Sequence, residues 1–326
     1  MSKEFKNRVY GCVVIRAINA NYNADFSGLP RRLKSDGSFY ATDKSFKWLV
    51  RNYIKKNYSN EKILFTKYFH NKIETNDLKT SYNKMFEKDE LKKIEKSTKE
   101  KDNNKDIVFK NLTECIDVRL FGATFTPGKE VSGNNISIHG PVQINHATDL
   151  YKKGRVYTDE ILAPFTAIGS MSKATEAHYI HNFSINPKNL STWKEIVLDI
   201  KVLSENDINI LKNAFNNCAT FYDSHSKAGV ENELSIYVTL VENSTLTLPS
   251  FAQFIKFEKD KEGNISFDIT RLIEFLSKYN SEIETIELYY IEELLDIVYK
   301  SDESKDEIKN YDLLEIIKEN KDEKTN

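Results

Sequence analysis

The sequence is poor in cysteine, has no long apolar run and carries none of the compact catalytic signatures, and each lack removes a class of function. Its three cysteines, Cys12, Cys115 and Cys218, lie far apart and form no C-x-x-C pair. Neither a disulfide framework nor a thiolate metal site is expected; buried thiols in a reducing compartment are. No stretch approaches the roughly 20 apolar residues of a membrane-spanning helix, and Met1-Ser2-Lys3-Glu4-Phe5-Lys6 lacks the apolar core of a signal peptide. A cytoplasmic protein with no membrane contact is the expectation. The absence of G-x-x-x-x-G-K-[ST], G-x-S-x-G and H-E-x-x-H leaves the common nucleotide, esterase and metalloprotease readings without support.

What is present is an uneven charge. Residues 1–60 hold 12 Lys or Arg against 4 Asp or Glu, whereas residues 281–326 hold 6 against 15, so a net charge of -2 conceals a basic end and an acidic one. A concentrated positive patch attracts phosphates and releases their counterions, so near-neutrality overall does not argue against a polyanionic partner.

The segment 8–18, RVYGCVVIRAI, is β-branched and too short for a typical helix, which predicts a central strand ending at Asn19. The stretch NANYNADFSGLPRRLKSDGS that follows is crowded with turn residues and reads as a long polar loop. Thr42 or Asp43 is placed to cap a helix over 45–58, with Phe46, Leu49, Val50, Tyr53 and Ile54 as its apolar stripe and Lys44, Lys47 and Arg51 on another face. A helical insertion is expected at about 60–110, its part from 84 to 106 too polar to assign any chemistry. Strands are expected at about 113–125, 136–145, 179–185 and 233–241, a helix over 206–222, a projecting hairpin at about 146–178, and a packed helix with an acidic tail over 281–326. The order β-α-β-β-β-α-β predicts an α+β fold of the ferredoxin-like kind, an antiparallel sheet elaborated by long loops, over 1–243, with 244–326 as a C-terminal extension.

The strongest candidate surface joins Arg31, Arg32 and Lys34 of the loop with Lys44, Lys47 and Arg51 of the helix, because a basic loop followed by a cationic helix face can follow a phosphate backbone. Arginine forks bind phosphate bidentately, so Arg31 and Arg32 carry more weight than any one lysine. Asn19, Asn21 and Asn23 can donate to phosphates or ribose hydroxyls, although Asn is equally expected where a loop turns. Catalytic constellations are weaker. His178 and His181, three apart on a strand, point to opposite faces, and His139 and His146 have no carboxylate at fixed spacing, so no metal or cofactor is expected. Asp25 has no visible partner to hold a metal and fits an Asx turn.

The strand with its Asn-rich loop, then DVRLFGATF, GPVQIN, HNFSINP and a late helix ending in a Gly-Val strand phrase, resemble in order and spacing the CRISPR-associated Cas seven family, the backbone subunit of Cascade-type complexes, most closely its type I-B branch. The resemblance spans roughly residues 8–243. It implies a palm with the RNA-recognition-motif (RRM) fold, a finger-like insertion, a thumb hairpin, and several copies polymerising along a guide RNA. The partners so implied are the guide RNA, target DNA through the guide, further copies of the chain and other Cascade subunits. It also places an RNA-facing surface near Gln143, Asn145 and His146, and makes Lys152, Lys153, Arg155 and Lys173, with Phe165 and Met171, the contacts of the thumb. Phe165, Met171, Ile161 and Leu162 are the candidates to wedge between bases. The loop aspartate that related type III subunits use to cut RNA would here be Asp25, which keeps a metal-dependent endoribonuclease as an alternative reading; a generic RRM protein is another.

Overall fold

The first expected strand shows no alternation because it is buried on both faces. In the computed structural model, residues 2–68, 75–86, 101–126, 135–162, 168–299 and 308–313 are described. Along the chain, β1 (Val9–Ala20) and β2 (Tyr40–Ala41) precede α1 (Asp43–Asn57), α2 (Leu78–Met85), α3 (Lys101–Thr113) and α4 (Ile116–Phe121). There follow β3 (Gly122–Phe125), β4 (Ile136–His139), β5 (Val142–Ile144), β6 (Ala147–Asp149), β7 (Val156–Leu162) and β8 (Ile168–Ile185). Helices α5 (Lys188–Ser191) and α6 (Glu205–Asn217) lead to β9 (Val230–Leu240), and then come β10 (Lys256–Lys259), β11 (Ile265–Asp268), α7 (Thr270–Leu276), β12 (Ile283–Tyr290), β13 (Asp296–Val298) and β14 (Ile308–Asp312). The chain forms two units that interleave in sequence: Met1–Lys6, Arg51–Gln143 and Ile185–Leu211 make the first, and Asn7–Val50, Ile144–Ser184 and Lys212–Asn326 the second.

The second unit is built on a large sheet in the order β14-β12-β9-β1-β8-β6-β2, with β7 also paired to β8. The pairs β1–β9, β9–β12, β2–β6, β6–β8 and β7–β8 are antiparallel, and β12 runs parallel to β14. On one face Tyr10, Cys12 and Val14 of β1 and Leu234, Ile236, Val238 and Leu240 of β9 pack with Phe251, Phe267, Leu272 and Leu276. On the other, Phe183 and Tyr237 pack with Phe215, which also meets Phe46 at 5.0 Å. Close packing on this second face requires Gly11: a Cβ there would stand 2.2 Å from the Ile236 carbonyl oxygen and 2.4 Å from the Phe183 ring.

Two expectations are corrected here. The stretch 281–326 was expected to hold a packed helix, but its first part is strand β12, which pairs with β9 on one side and β14 on the other. Ile286 and Leu288 are buried at every second position, and Glu287 between them pairs with Lys212. A strand flanked on both sides by hydrogen-bonded neighbours satisfies its backbone without helix formation. The acidic residues from 314 onward lie outside the described residues. The projecting hairpin also begins later than residue 146, because β6 lies in the main sheet, with Thr148 opposite Ile180; the hairpin itself is β7 with the first part of β8, Val156 facing Ala174 and Leu162 facing Ile168.

In the first unit, the expected insertion contains helices α2 and α3 together with non-helical chain over 60–68, and Leu64, Tyr82, Phe86, Val108, Phe109 and Leu112 share a core with Val118, Phe125, Ile138 and Leu190. The expected strand over 113–125 is a helix as far as Phe121, and only Gly122–Phe125 is strand. All six residues of α4 are buried, so no polar face betrays its period. Its ionised residues are held by specific partners instead. Asp117 accepts from the Leu64 and Phe65 amides at 2.8 and 3.0 Å and from Arg51 Nε at 2.9 Å. Arg119 grips Asp207 with two bonds at 2.7 and 3.1 Å and reaches Glu61 at 3.1 Å and the Thr113 and Glu114 carbonyls at 3.0 Å. Asp207 in turn closes a capping box with Ser204 at the start of α6. The turn from α4 into β3 uses Gly122 at φ 74°, where a Cβ would come within 2.2 Å of the Ile138 carbonyl.

Replacing Arg119 with alanine leaves Asp207 buried without its cation, and loss of one partner of such a pair costs about 3–5 kcal/mol. Urea unfolding of Arg119→Ala is expected to show that loss; a change below about 1 kcal/mol contradicts it.

Candidate nucleic-acid interface

The loop that follows β1 is fastened at four places within the second unit. Asn21 Nδ2 donates to the Gly28 and Ser172 carbonyls, each at 3.0 Å. The Tyr22 hydroxyl lies 2.9 Å from His181 Nε2, while His181 Nδ1 lies 3.0 Å from the Asn145 carbonyl. A carbonyl only accepts, so Nδ1 carries the proton and Nε2 accepts from tyrosine. Asn23 Oδ1 accepts from the amide and hydroxyl of Thr42, whose Oγ1 accepts from the Ser45 amide, so the loop is tied to the cap of α1. Lys227 Nζ donates to the Tyr22 carbonyl at 2.6 Å, and burial pushes this lysine down to about 8.

On this frame the expected cations gather. Arg31 reaches the Tyr40 hydroxyl at 3.5 Å, and Arg32 lies over the Phe39 ring at 4.8 Å. Tyr40 also stacks on His146, whose Nε2 is 3.3 Å from Asp43. Lys34, Lys44, Lys152, Lys153 and Arg155 are exposed, as is Asn145. The Lys152 charge helps hold the Asp36 carboxyl below its usual range, after the larger effect of hydrogen bonds from Ser38, and so brings 152 close to the loop. On the hairpin, Met171 faces Asp159 and Lys173 faces Tyr157, and these four share one side of the ribbon. The Tyr157 hydroxyl donates to Asn19 Oδ1 at 3.2 Å, and Asn19 itself has φ 50°.

Other expected site residues have different tasks. Asn21 is buried and holds the loop to the hairpin, because an amide beneath a turn must satisfy its hydrogens locally. Lys47 pairs with Asp43 at 3.3 Å. Arg51 and Gln143 belong to the first unit. Arg51 is bound to buried Asp117 and lies over the Phe65 and Phe121 rings, and half-buried Gln143 donates to the Gly140 carbonyl at 2.8 Å. Both side chains thus make internal bonds, Arg51 to a buried carboxylate that demands a donor and Gln143 to a carbonyl that also accepts from Asn189 at 3.3 Å. Phe165 lies outside the described residues, as do the side chains of Ile161 and Leu162. Sequence reasoning missed Tyr40, Tyr157, Lys227 and Phe26. Only Phe26 left a trace, as an aromatic residue in a polar loop with no periodic partner.

The possible reacting groups are committed as well. Asp25 Oδ1 accepts from the Ser27 and Leu29 amides at 2.8 and 3.0 Å, an Asx turn. His178 and His181 do lie on separate networks. His178 is held between Glu233 at 2.7 Å and Glu176 at 3.2 Å; burial opposes its charge, yet the two carboxylates outweigh burial and raise it to about 9. His181, buried with no carboxylate bonded to it, is pushed down to about 4. Among the described residues no group of three or more His, Cys, Asp or Glu is placed to hold a metal ion, and no helix is long and apolar enough to cross a membrane.

These features define a mixed α+β protein on a large, mostly antiparallel sheet, with a cationic and aromatic loop surface at the end of its central strand. The family model for CRISPR-associated protein Cas7 matches residues 7–316, and the chain belongs to that family. Among solved structures, a chain of a "CRISPR RNA-guided surveillance complex, pre-nicking" shares the fold with a TM-score of 0.54 at 11% identity, covering 96% of this chain and 98% of that one. A chain of a "CRISPR RNA-guided surveillance complex" is similar at 13% identity and a TM-score of 0.43, covering 94% and 98%. No curated protein sequence matches.

The two histidines give stability opposite pH dependences. The unfolded His181 imidazole takes up a proton near 6.5 and the folded one only near 4, so its share of stability is complete above 6.5 and is lost as pH falls, by about 3 kcal/mol in the limit. His178 holds its proton to about 9 when folded, so its share is complete below 6.5 and is lost as pH rises through 9. Urea midpoints are expected to peak near neutrality, and His178→Gln is expected to flatten the alkaline limb while leaving the acid limb in place.

Proposed function

We propose that the chain is a guide-RNA-binding backbone subunit of a Cascade-type interference complex, of the type I-B kind, that performs no bond-breaking chemistry. The observation that carries this reading is the fastened loop surface of the second unit. There Arg31, Arg32, Lys34, Lys44, His146, Lys152, Lys153 and Arg155 stand with Tyr40 on a frame whose two loop carboxylates, Asp25 and Asp36, are both bonded within their own turns. Such a surface binds a phosphate backbone without regard to sequence, leaving sequence to base pairing between guide and target DNA. Family membership supports the same reading. The strand order β9-β1-β8-β6, with α1 after β1 and α6 after β8, is what an RRM palm requires. On this reading the β7–β8 hairpin is the thumb, with Met171 and Lys173 on one side, and helices α2 and α3 belong to the finger. Copies of the chain line the guide beside other subunits in the cytoplasm.

Purification of the tagged chain from its native operon at moderate salt tests the assignment. RNAs of uniform length with a repeat-derived flank, in a particle holding several copies, are expected; RNA of mixed length or none contradicts it. With single-stranded RNA, Arg31→Ala with Arg32→Ala is expected to lower the slope of log affinity against log salt by about 0.7 for each cation that contacts phosphate. The wild-type chain with magnesium or manganese is expected to leave RNA intact, and cleavage abolished by Asp25→Asn would establish the endoribonuclease instead.

A further inference from the structure

We propose that Phe26 is a stacking platform for a base of the bound RNA, an inference that rests on the RNA-binding reading above and adds to it a contact with the base rather than the backbone. Phe26 has a relative exposure of 105%, and its neighbour Leu29 one of 41%. The turn that presents the ring is closed without its help. Besides the two bonds to Asp25 Oδ1, the Asp25 amide donates to the Leu29 carbonyl at 2.8 Å and the Gly28 amide to the Asp25 carbonyl at 3.1 Å. Gly28 supplies φ 81°, Ala24 bridges to Pro30, and the Gly28 carbonyl accepts from buried Asn21. The ring is thus held in solvent by a preformed turn and buries nothing against its own unit. Holding an aromatic group in place beforehand lowers the entropy cost of binding with it.

Charge selects the occupant. The same loop carries Arg31, Arg32 and Lys34, while the carboxylates of Asp25 and Asp36 are occupied within their turns. An aromatic face beside several cations matches the alternation of base and phosphate along single-stranded RNA, and stacking on it is indifferent to sequence because every base has a π-face. An apolar pocket on a protein would take the ring but has no use for the cations.

The test is fluorescence anisotropy of labelled single-stranded RNA of mixed sequence with the full chain, for wild type, Phe26→Ala and Phe26→Trp, across a salt series. Phe26→Ala is expected to bind about tenfold more weakly. Phe26→Trp is expected to bind as the wild type does. The salt slope is expected to stay unchanged, because no phosphate contact is lost. With an abasic ribose-phosphate probe, the wild type and Phe26→Ala are expected to converge. Equal affinity of wild type and Phe26→Ala for ordinary RNA overturns the stacking role, and a simultaneous loss of higher-order particles in sedimentation would reassign the ring to a neighbouring copy. A wild-type chain that binds no RNA overturns the functional reading itself.

Discussion

The neutral imidazole of His181 is the constraint on which the loop surface of the second unit depends. It is buried on β8, stacked at 4.7 Å on Phe46, with its proton given to the Asn145 carbonyl and its other nitrogen accepting from Tyr22. Three segments remote in sequence are placed by one ring. Asn21 beside Tyr22 then reaches the hairpin, and His146 beside Asn145 stacks on Tyr40. Burial keeps the ring uncharged, and a neutral ring can donate at one nitrogen and accept at the other.

Ionised groups divide between two tasks. Where arginine is buried, in the first unit, it meets carboxylates with matched geometry, as Arg119 meets Asp207 and Glu61, because an unpaired charge in the interior is costly. In the post-β1 loop the reverse arrangement holds. The acidic side chains are bent back onto their own backbone amides, and the arginines lie against aromatic rings and hydroxyls. The loop's aspartates are thus bonded to its own backbone amides, and Arg31, Arg32 and Lys34 against Asp25 and Asp36 leave the loop a net charge of +1. Paired surface charges, by contrast, add little to stability.

Sequence and structure agree most closely where burial is one-sided or turn chemistry is local. The helix capped by Thr42 was legible because Phe46, Leu49, Val50 and Ile54 form one stripe, and the Asx turn at Asp25 because its partners lie two and four residues on. Helix α4 was not legible, since all six of its residues are buried and its charged pair, Asp117 and Arg119, finds partners 53 and 88 positions away. The same holds for β12, whose apolar residues also fit a helical stripe until β9 and β14 are seen on either side.

Of the candidate surface, the residue types were present in the sequence but their allegiance was not. Arg31 and Arg51 look alike in a linear reading; one reaches the Tyr40 hydroxyl, and the other is spent on Asp117. The sequence alone determined the central strand, the long polar loop, the basic first sixty residues and the family resemblance, because these rest on local pattern and order. Tertiary structure decided which cations serve the surface, which histidine is charged and where the lone ring of Phe26 stands, because each of these depends on partners the chain brings together only by folding.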